Sequence, residues 1–377
     1  MSAEIDDPDL LQNELPKQYT VLGQIKSGGM GAIYKVENRF TKVIYAVKVI
    51  NPEGAKDASM RQRFIAEAKA ASLLKHTNIC QTYDFGVSEN HVLYLVMEWL
   101  GGISLQQKIS RDGPLSESEM TTVLQQIAAG LAHAHEHNVI HRDLKPDNIM
   151  LSRDQSGGTV VHIVDFGVAK VISENTPSKD GLTKVGTLLG TPLYMSPEQA
   201  NGDKVDARAD LYSFGCLMYF ALSGKPPFIG TSLLDTLYQH VHKAPPPLDA
   251  SLKISSAMTS IMMKALEKKP DDRYQSMSHL LLDLNKLAKG QNVKHRLLAR
   301  DRKKIRSGIV LPIIFLAAYG SIQLLFAGIE TLNNNLKQQN AIKKTAAAQV
   351  LKSNDKITKK TVTKSGALRP IVKDRLH

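Results

Sequence analysis

The sequence predicts an α+β protein of two unequal lobes, a small β-rich one and then a larger helical one, followed by a single membrane-spanning helix. Three observations lead there. Residues 19–49 form short alternating segments, rich in β-branched and aromatic residues, around a glycine turn. From about residue 115 onward, long stretches of helix-forming residues carry apolar side chains at helical spacing. Residues 309–329 then run for 21 positions without a charged side chain.

Taken in order, residues 1–18 are an acidic N-terminal extension with no apolar run, which excludes a secretory signal. The segments YTVLGQI, AIYKVEN and VIYAVKVI predict an antiparallel meander. Residues 59–75 predict a helix and residues 91–100 a further strand. Helices follow in SESEMTTVLQQIAAGLAHAHEHN, DLYSFGCLMYFALSG and SSAMTSIMMKALEKK. The chain of 377 residues is 42% hydrophobic and 22% charged, an ordinary globular composition with enough apolar residues for a sizeable core. Its two cysteines, Cys80 and Cys216, are far apart, which argues against a disulfide framework or a structural zinc site and suits a reducing compartment.

The net charge of +12 is unevenly spread. Residues 294–377 hold 18 Lys and Arg against 4 Asp and Glu, which leaves 30 against 32 in residues 1–293. The larger part is therefore close to neutral, and no nucleic-acid partner is expected. Residues 290–308 read as a basic juxtamembrane linker. As a helix, residues 309–329 would rise about 32 Å, close to the thickness of a bilayer core. Seven Lys and Arg in residues 294–306 precede the span, whereas the first after it is Lys337. That bias places the large domain in the cytoplasm and residues 330–377 outside, as a single-pass protein of the cell (inner) membrane. This tail has no aromatic residue and little apolar periodicity, and is expected to lack stable structure.

The glycine turn, QIKSGGMGAIY (residues 24–34), has Gly28, Gly29 and Gly31, with Lys26 where a G-x-G-x-x-G pattern would begin. No Lys-Ser/Thr pair follows Gly28, so a Walker-type loop is excluded. The turn lies between strands and opens no helix, which disfavours a dinucleotide fingerprint. Alone, it suits a plain hairpin as well as a phosphate cradle. The downstream order changes the balance. Lys48 stands in a strand 17 residues after Gly31, with Glu67 on the following helix as its prospective partner. Then come HRDLKPDN (141–148), VDFG (164–167) and GTPLYMSPE (190–198).

This ordered set resembles the eukaryotic-type protein kinase superfamily. The wording of IKSGGMGAIY, RFIAEAKAASLLKHTNI and GTPLYMSPEQ is similar to its bacterial (Hanks-type) serine/threonine branch, many of whose members are membrane-anchored. The resemblance covers about residues 19–289. It implies a bilobal protein kinase fold, with an N-lobe over about 19–99 and a C-lobe over about 100–289, and transfer of the γ-phosphate of ATP to Ser/Thr hydroxyls of protein substrates. Magnesium, or manganese in its place, would assist. The ATP site implied comprises Ile25, Lys26, Ser27, Gly28, Gly29, Met30, Gly31, Ile33 and Ala46, with Lys48 on the α- and β-phosphates and Glu67 holding it. Met97 takes the gatekeeper position, and Glu98–Leu100 would meet adenine through their backbone. Asp143 would orient the acceptor hydroxyl and take its proton, Lys145 would steady the γ-phosphate, and Asn148 and Asp165 would hold the metal ions.

The resemblance also implies an ion pair between Glu198 and Arg273, an anchor for the catalytic loop at Asp210, and packing of His141 near Phe166. Thr183 and Thr187 are candidate phosphosites whose phosphate could pair with Arg142. His133, His135 and His137 invite a metal reading, but no HExxH or carboxylate set accompanies them. A homodimer is a family-level expectation. The alternative function is a pseudokinase scaffold that binds nucleotide and partners without turnover, with Lys26 as its main support.

Overall fold

The computed structural model describes residues 8–28, 31–50, 58–166, 192–291 and 293, all within one compact unit, Met1–His295. The 294–308 part of the basic linker, the apolar run 309–329 and the tail 330–377 lie outside the described residues. Among the described residues no helix is long and apolar enough to cross a membrane.

The N-terminal lobe is a five-stranded antiparallel sheet: β1 (Tyr19–Gly28), β2 (Gly31–Asn38), β3 (Ile44–Ile50), β4 (Thr82–Val87) and β5 (Leu93–Glu98), in the order β1-β2-β3-β5-β4. The three-segment meander of the sequence is β1 to β3. Strand β4 was not anticipated, because Asp84 and Gly86 obscure its short pattern. Alternation along β3 decides the architecture. Val47 and Val49 join a cluster with Tyr34, Val36 and Val96 on one face, while Ala46 and Ile50 pack with Phe64, Leu95 and Met97 on the other. Lys48, between Val47 and Val49, therefore shares the second face.

Each face has its own helix. Helix α1 (Pro8–Glu14), within the N-terminal extension, brings Leu11 to the first face, where it is fully buried along with nearby Leu15. Helix α2 (Ala58–Ser72), close to the predicted 59–75, lays Phe64 and Ala68 against the second. Gly31 opens β2 at a φ of +135°, and a Cβ there would overlap the Val49 carbonyl oxygen. Glycine is required here so that β2 can lie against β3.

The C-terminal lobe contains α3 (Leu105–Asp112), α4 (Glu117–Glu136), α5 (Pro197–Asn201), α6 (Arg208–Ser223), α7 (Leu233–His242), α8 (Ser256–Ala265) and α9 (Met277–Ala288). A small sheet joins β6 (Ile103–Ser104), which immediately precedes α3, to β7 (Ile149–Arg153) and β8 (Thr159–Ile163), which lie between α4 and α5 in the chain. Capping boxes at Ser104/Gln107, Ser116/Glu119 and Ser196/Gln199 start α3, α4 and α5. Every residue of α6 from Ala209 to Leu222 is buried. That explains its nearly unbroken apolar sequence: it is the central post of the lobe, with no face left for water.

Candidate active site

Lys48 lies on β3 between Ile33 of β2 and Leu95 of β5, so its backbone is fixed on both sides. Its Nζ donates to Asp165 Oδ1 at 2.7 Å. Burial alone would push the Asp165 carboxyl up, but the charge and hydrogen bond of Lys48 outweigh it and hold the group below its usual range. Asp165 thus stays ionised. Its backbone is left-handed, with φ +60°, a conformation uncommon outside glycine. Glu67, the expected partner of Lys48, is on α2, but its side chain lies outside the described residues.

The loop 141–148 is positioned from below. Asp210, fully buried on α6, accepts the His141 amide at 2.8 Å and the Arg142 amide at 2.9 Å. His135 Nε2 lies 2.7 Å from the same carboxylate. Burial disfavours the ionised Asp210, yet these donors more than compensate and its pKa is lowered. Arg142 is also left-handed, with φ +61°, which the paired amides enforce. His141 is buried, and burial depresses its pKa, so the ring is neutral. Its Nε2 donates to the Val164 carbonyl at 3.0 Å, and its Nδ1 accepts the Asp143 amide at 3.3 Å. The ring sits 4.8 Å from that of Phe166, as the resemblance implied.

The chemistry-bearing side chains follow from this frame. Lys145 Nζ donates to Asp143 Oδ2 at 2.7 Å. Asn148, at the end of the 3₁₀ turn Pro146–Asn148, donates Nδ2 to the Asp143 carbonyl at 2.9 Å. That bond orients the amide and leaves Oδ1 as the oxygen that could hold a metal ion. Asn148 also ties the loop to the next segment, since its carbonyl accepts the Val164 amide at 3.0 Å. Lys48, Met97, Asp165 and Phe166 line one cavity with Phe64, Ile79 and Cys80. Phe64, Ile79 and Cys80 were missed from sequence: Phe64 reads as ordinary core, and Ile79 and Cys80 come from the connection between α2 and β4. Burial pushes the Cys80 thiol well above its usual range, so it serves as an apolar wall.

The glycine turn is brought together only in part. Gly28 pairs with Gly31, Ser27 with Ala32, and Lys26 with Ile33. Lys26 is exposed, Ile25 is an extra residue in β1, and Gly29 and Met30 lie outside the described residues. Ala46 is opposite Met97, next to Glu98 at the end of β5. The Glu98 amide is already bonded to the Gln81 carbonyl at 2.9 Å, so that N–H is not available for the adenine contact that the resemblance implies for Glu98–Leu100. Trp99 carries the Lys35 ammonium 4.9 Å from its ring centroid, a contact with no local signal in the sequence. Because Lys26 projects from a strand already paired through Ile33, Lys26→Gly is expected to change ATP affinity by less than about tenfold, roughly 1.4 kcal/mol. Titration of nucleotide into both proteins checks this, and a large gain in turnover would show the turn to be crippled.

The ion pair between Glu198 and Arg273 that the resemblance implies is present. Arg273 Nη1 and Nη2 donate to the two oxygens of Glu198, each at 2.7 Å. His133 and His137 have ring centroids 4.4 Å apart, and His76 adds a ring 5.3 Å from His133. Among the described residues no group of three or more His, Cys, Asp or Glu could hold a metal ion. Thr183, Thr187 and Thr191 lie outside the described residues.

Residues 19–283 match the protein kinase domain family. The chain is 37% identical over 275 residues to the serine/threonine-protein kinase PknB of Mycolicibacterium smegmatis, covering 72% of this chain and 43% of that one. It is 35% identical over 309 residues to the serine/threonine-protein kinase pkn3 of Myxococcus xanthus, covering 81% and 56%. The chain thus spans about half the length of these relatives. Among solved structures, the PknI kinase domain of Mycobacterium tuberculosis (C20A_R136A double mutant) aligns with a TM-score of 0.58 at 24% identity, over 73% of this chain and 98% of that one. Rad53 1–466 in complex with AMP-PNP aligns with a TM-score of 0.57 at 25% identity, over 72% and 67%.

Proposed function

The chain belongs to the protein kinase domain family, and from that membership we propose that it is an active serine/threonine protein kinase, transferring the γ-phosphate of ATP to protein hydroxyls. One observation carries the reading. Lys48, Asp143, Lys145, Asn148 and Asp165 are all present, and hydrogen bonds of 2.7–2.9 Å link them in two groups on a loop and a strand fixed by the core. Phosphoryl transfer needs positioned charge more than covalent help, and this arrangement supplies it.

In this reading Lys48 exchanges Asp165 for the α- and β-phosphates. Asp143 orients the acceptor hydroxyl and takes its proton, while Lys145, 2.7 Å from Asp143, meets the transferred group. The ionised Asp165 and the oriented Asn148 amide are hard oxygen donors that would fit magnesium. When bound, the metal neutralises phosphate charge. Manganese would fit the same donors.

We further place the domain on the cytoplasmic face of a membrane, anchored by residues 309–329; the seven Lys and Arg of residues 294–306 support that orientation. A homodimer is carried over from the family alone. The full chain incubated with MgATP is expected to acquire phosphoserine or phosphothreonine, with Thr183 and Thr187 as sites read by mass spectrometry. Nucleotide binding without any phosphate transfer, to itself or to a protein mixture, would instead mark a scaffold.

A further inference from the structure

Helix α1 lies outside residues 19–283, the part that matches the family, yet it is built into the sheet that carries the glycine turn. Leu11 and Leu15 are buried on the sheet face opposite Lys48. Gln12 makes a more specific contact. Its Nε2 donates to the Tyr19 carbonyl and its Oε1 accepts the Val21 amide, both at 2.9 Å. These groups flank Thr20 on the margin of β1 that has no neighbouring strand among the described residues, since β1 ends the sheet order. The carboxamide takes the place of that strand. Two residues on, Glu14 accepts from the Ser88 hydroxyl and, at 2.7 Å, from Asn90 Nδ2 in the turn between β4 and β5. Strand β4 is the opposite margin of the sheet, so one short helix fastens both ends.

Strand β1 depends on such support. Its register with β2 is interrupted twice, at Leu22 and at Ile25, before it reaches Lys26–Gly28. Each interruption removes ladder pairing and adds twist, so the direction of the distal arm is set by how firmly its root is held. We propose that Gln12 and Glu14 are positioning residues for the nucleotide: α1 fixes the root of β1 and, through it, the glycine turn. This rests on the reading of the cleft as an ATP site. A helix that only stabilised the lobe would alter the melting temperature and leave nucleotide affinity unchanged.

The test uses the full chain carrying Gln12→Ala, Glu14→Ala or Gln12→Glu, the last keeping the acceptor for Val21 and losing the donor for Tyr19. The Kd of MgATP is measured by calorimetry, kcat and KM by phosphate transfer, and hydrogen exchange over residues 19–28 by mass spectrometry. The two alanine variants are expected to raise Kd and KM for ATP about three- to tenfold with kcat within about twofold, a loss of binding shared by ground and transition states. Gln12→Glu should fall between wild type and Gln12→Ala, and exchange over 19–28 should quicken in step. Unchanged Kd with a lowered melting temperature overturns the proposal and leaves the kinase reading intact. Failure of the wild-type chain to bind MgATP overturns both.

Discussion

Asp143→Asn is expected to slow phosphate transfer at least a hundredfold, and up to about ten-thousandfold, the range a positioned general base contributes. Asp143 holds Lys145 at 2.7 Å through Oδ2, and the same oxygen is 3.4 Å from Asn148 Nδ2. An asparagine keeps the size but cannot take a proton, and it no longer neutralises Lys145. Because the backbone contacts of the loop run to Asp210, this variant should fold normally and still bind MgATP. Asp165→Asn removes the charged partner of Lys48 and a proposed metal ligand together, so turnover and metal-dependent nucleotide binding should both fall. Radiolabelled phosphate transfer and nucleotide titration, run side by side, separate the two. Full activity in Asp143→Asn would sink the assignment of the base.

Arg273→Met should be among the most destabilising changes in the C-terminal lobe, by about 3–5 kcal/mol. The Arg273 side chain is wholly buried, and all five of its N–H groups are used. Two meet Glu198, and the others meet the carbonyls of Arg208, Glu267 and Lys268 at 2.7–2.9 Å. Methionine would fill the space but leave Glu198 as an unpaired charge with 7% of its side chain exposed. Lysine should rescue poorly, since three donors on a point charge cannot serve this planar fork. Denaturant titration measures the loss. Replacing Glu198 as well, by Gln, should cost less than adding the two single effects, because the stranded carboxylate is gone.

What could be read in the sequence was the part that chemistry restricts. Asp143, Lys145, Asn148, Asp165, Glu198, Asp210 and Arg273 were all named from the resemblance, whose ordered motifs few other residue types could fill. Helix α6 was legible because a wholly buried helix needs apolar residues at almost every position. Helix α1 was not legible: PDLLQNE offers one short turn of apolar contact, and its reason for being helical is a sheet face supplied by residues 32–96. The Lys48–Asp165 pair joins positions 117 apart, with no local pattern to announce it. The Glu98 amide's bond to Gln81 and the Lys35–Trp99 contact likewise depend on which strands become neighbours.

The two halves of the site are referenced to different parts of the molecule. Asp143, Lys145 and Asn148 hang, through His141 and Arg142, from a carboxylate on a helix that has no exposed residue between Ala209 and Leu222. Nothing that binds the surface can shift that reference point without opening the core. The Lys48 side belongs instead to a sheet whose first strand is twice interrupted, and to a helix at its margin. Under the kinase reading, control over phosphate transfer therefore has an address: a regulator gains leverage by tilting the roof, while the floor serves as the fixed datum against which the tilt is measured.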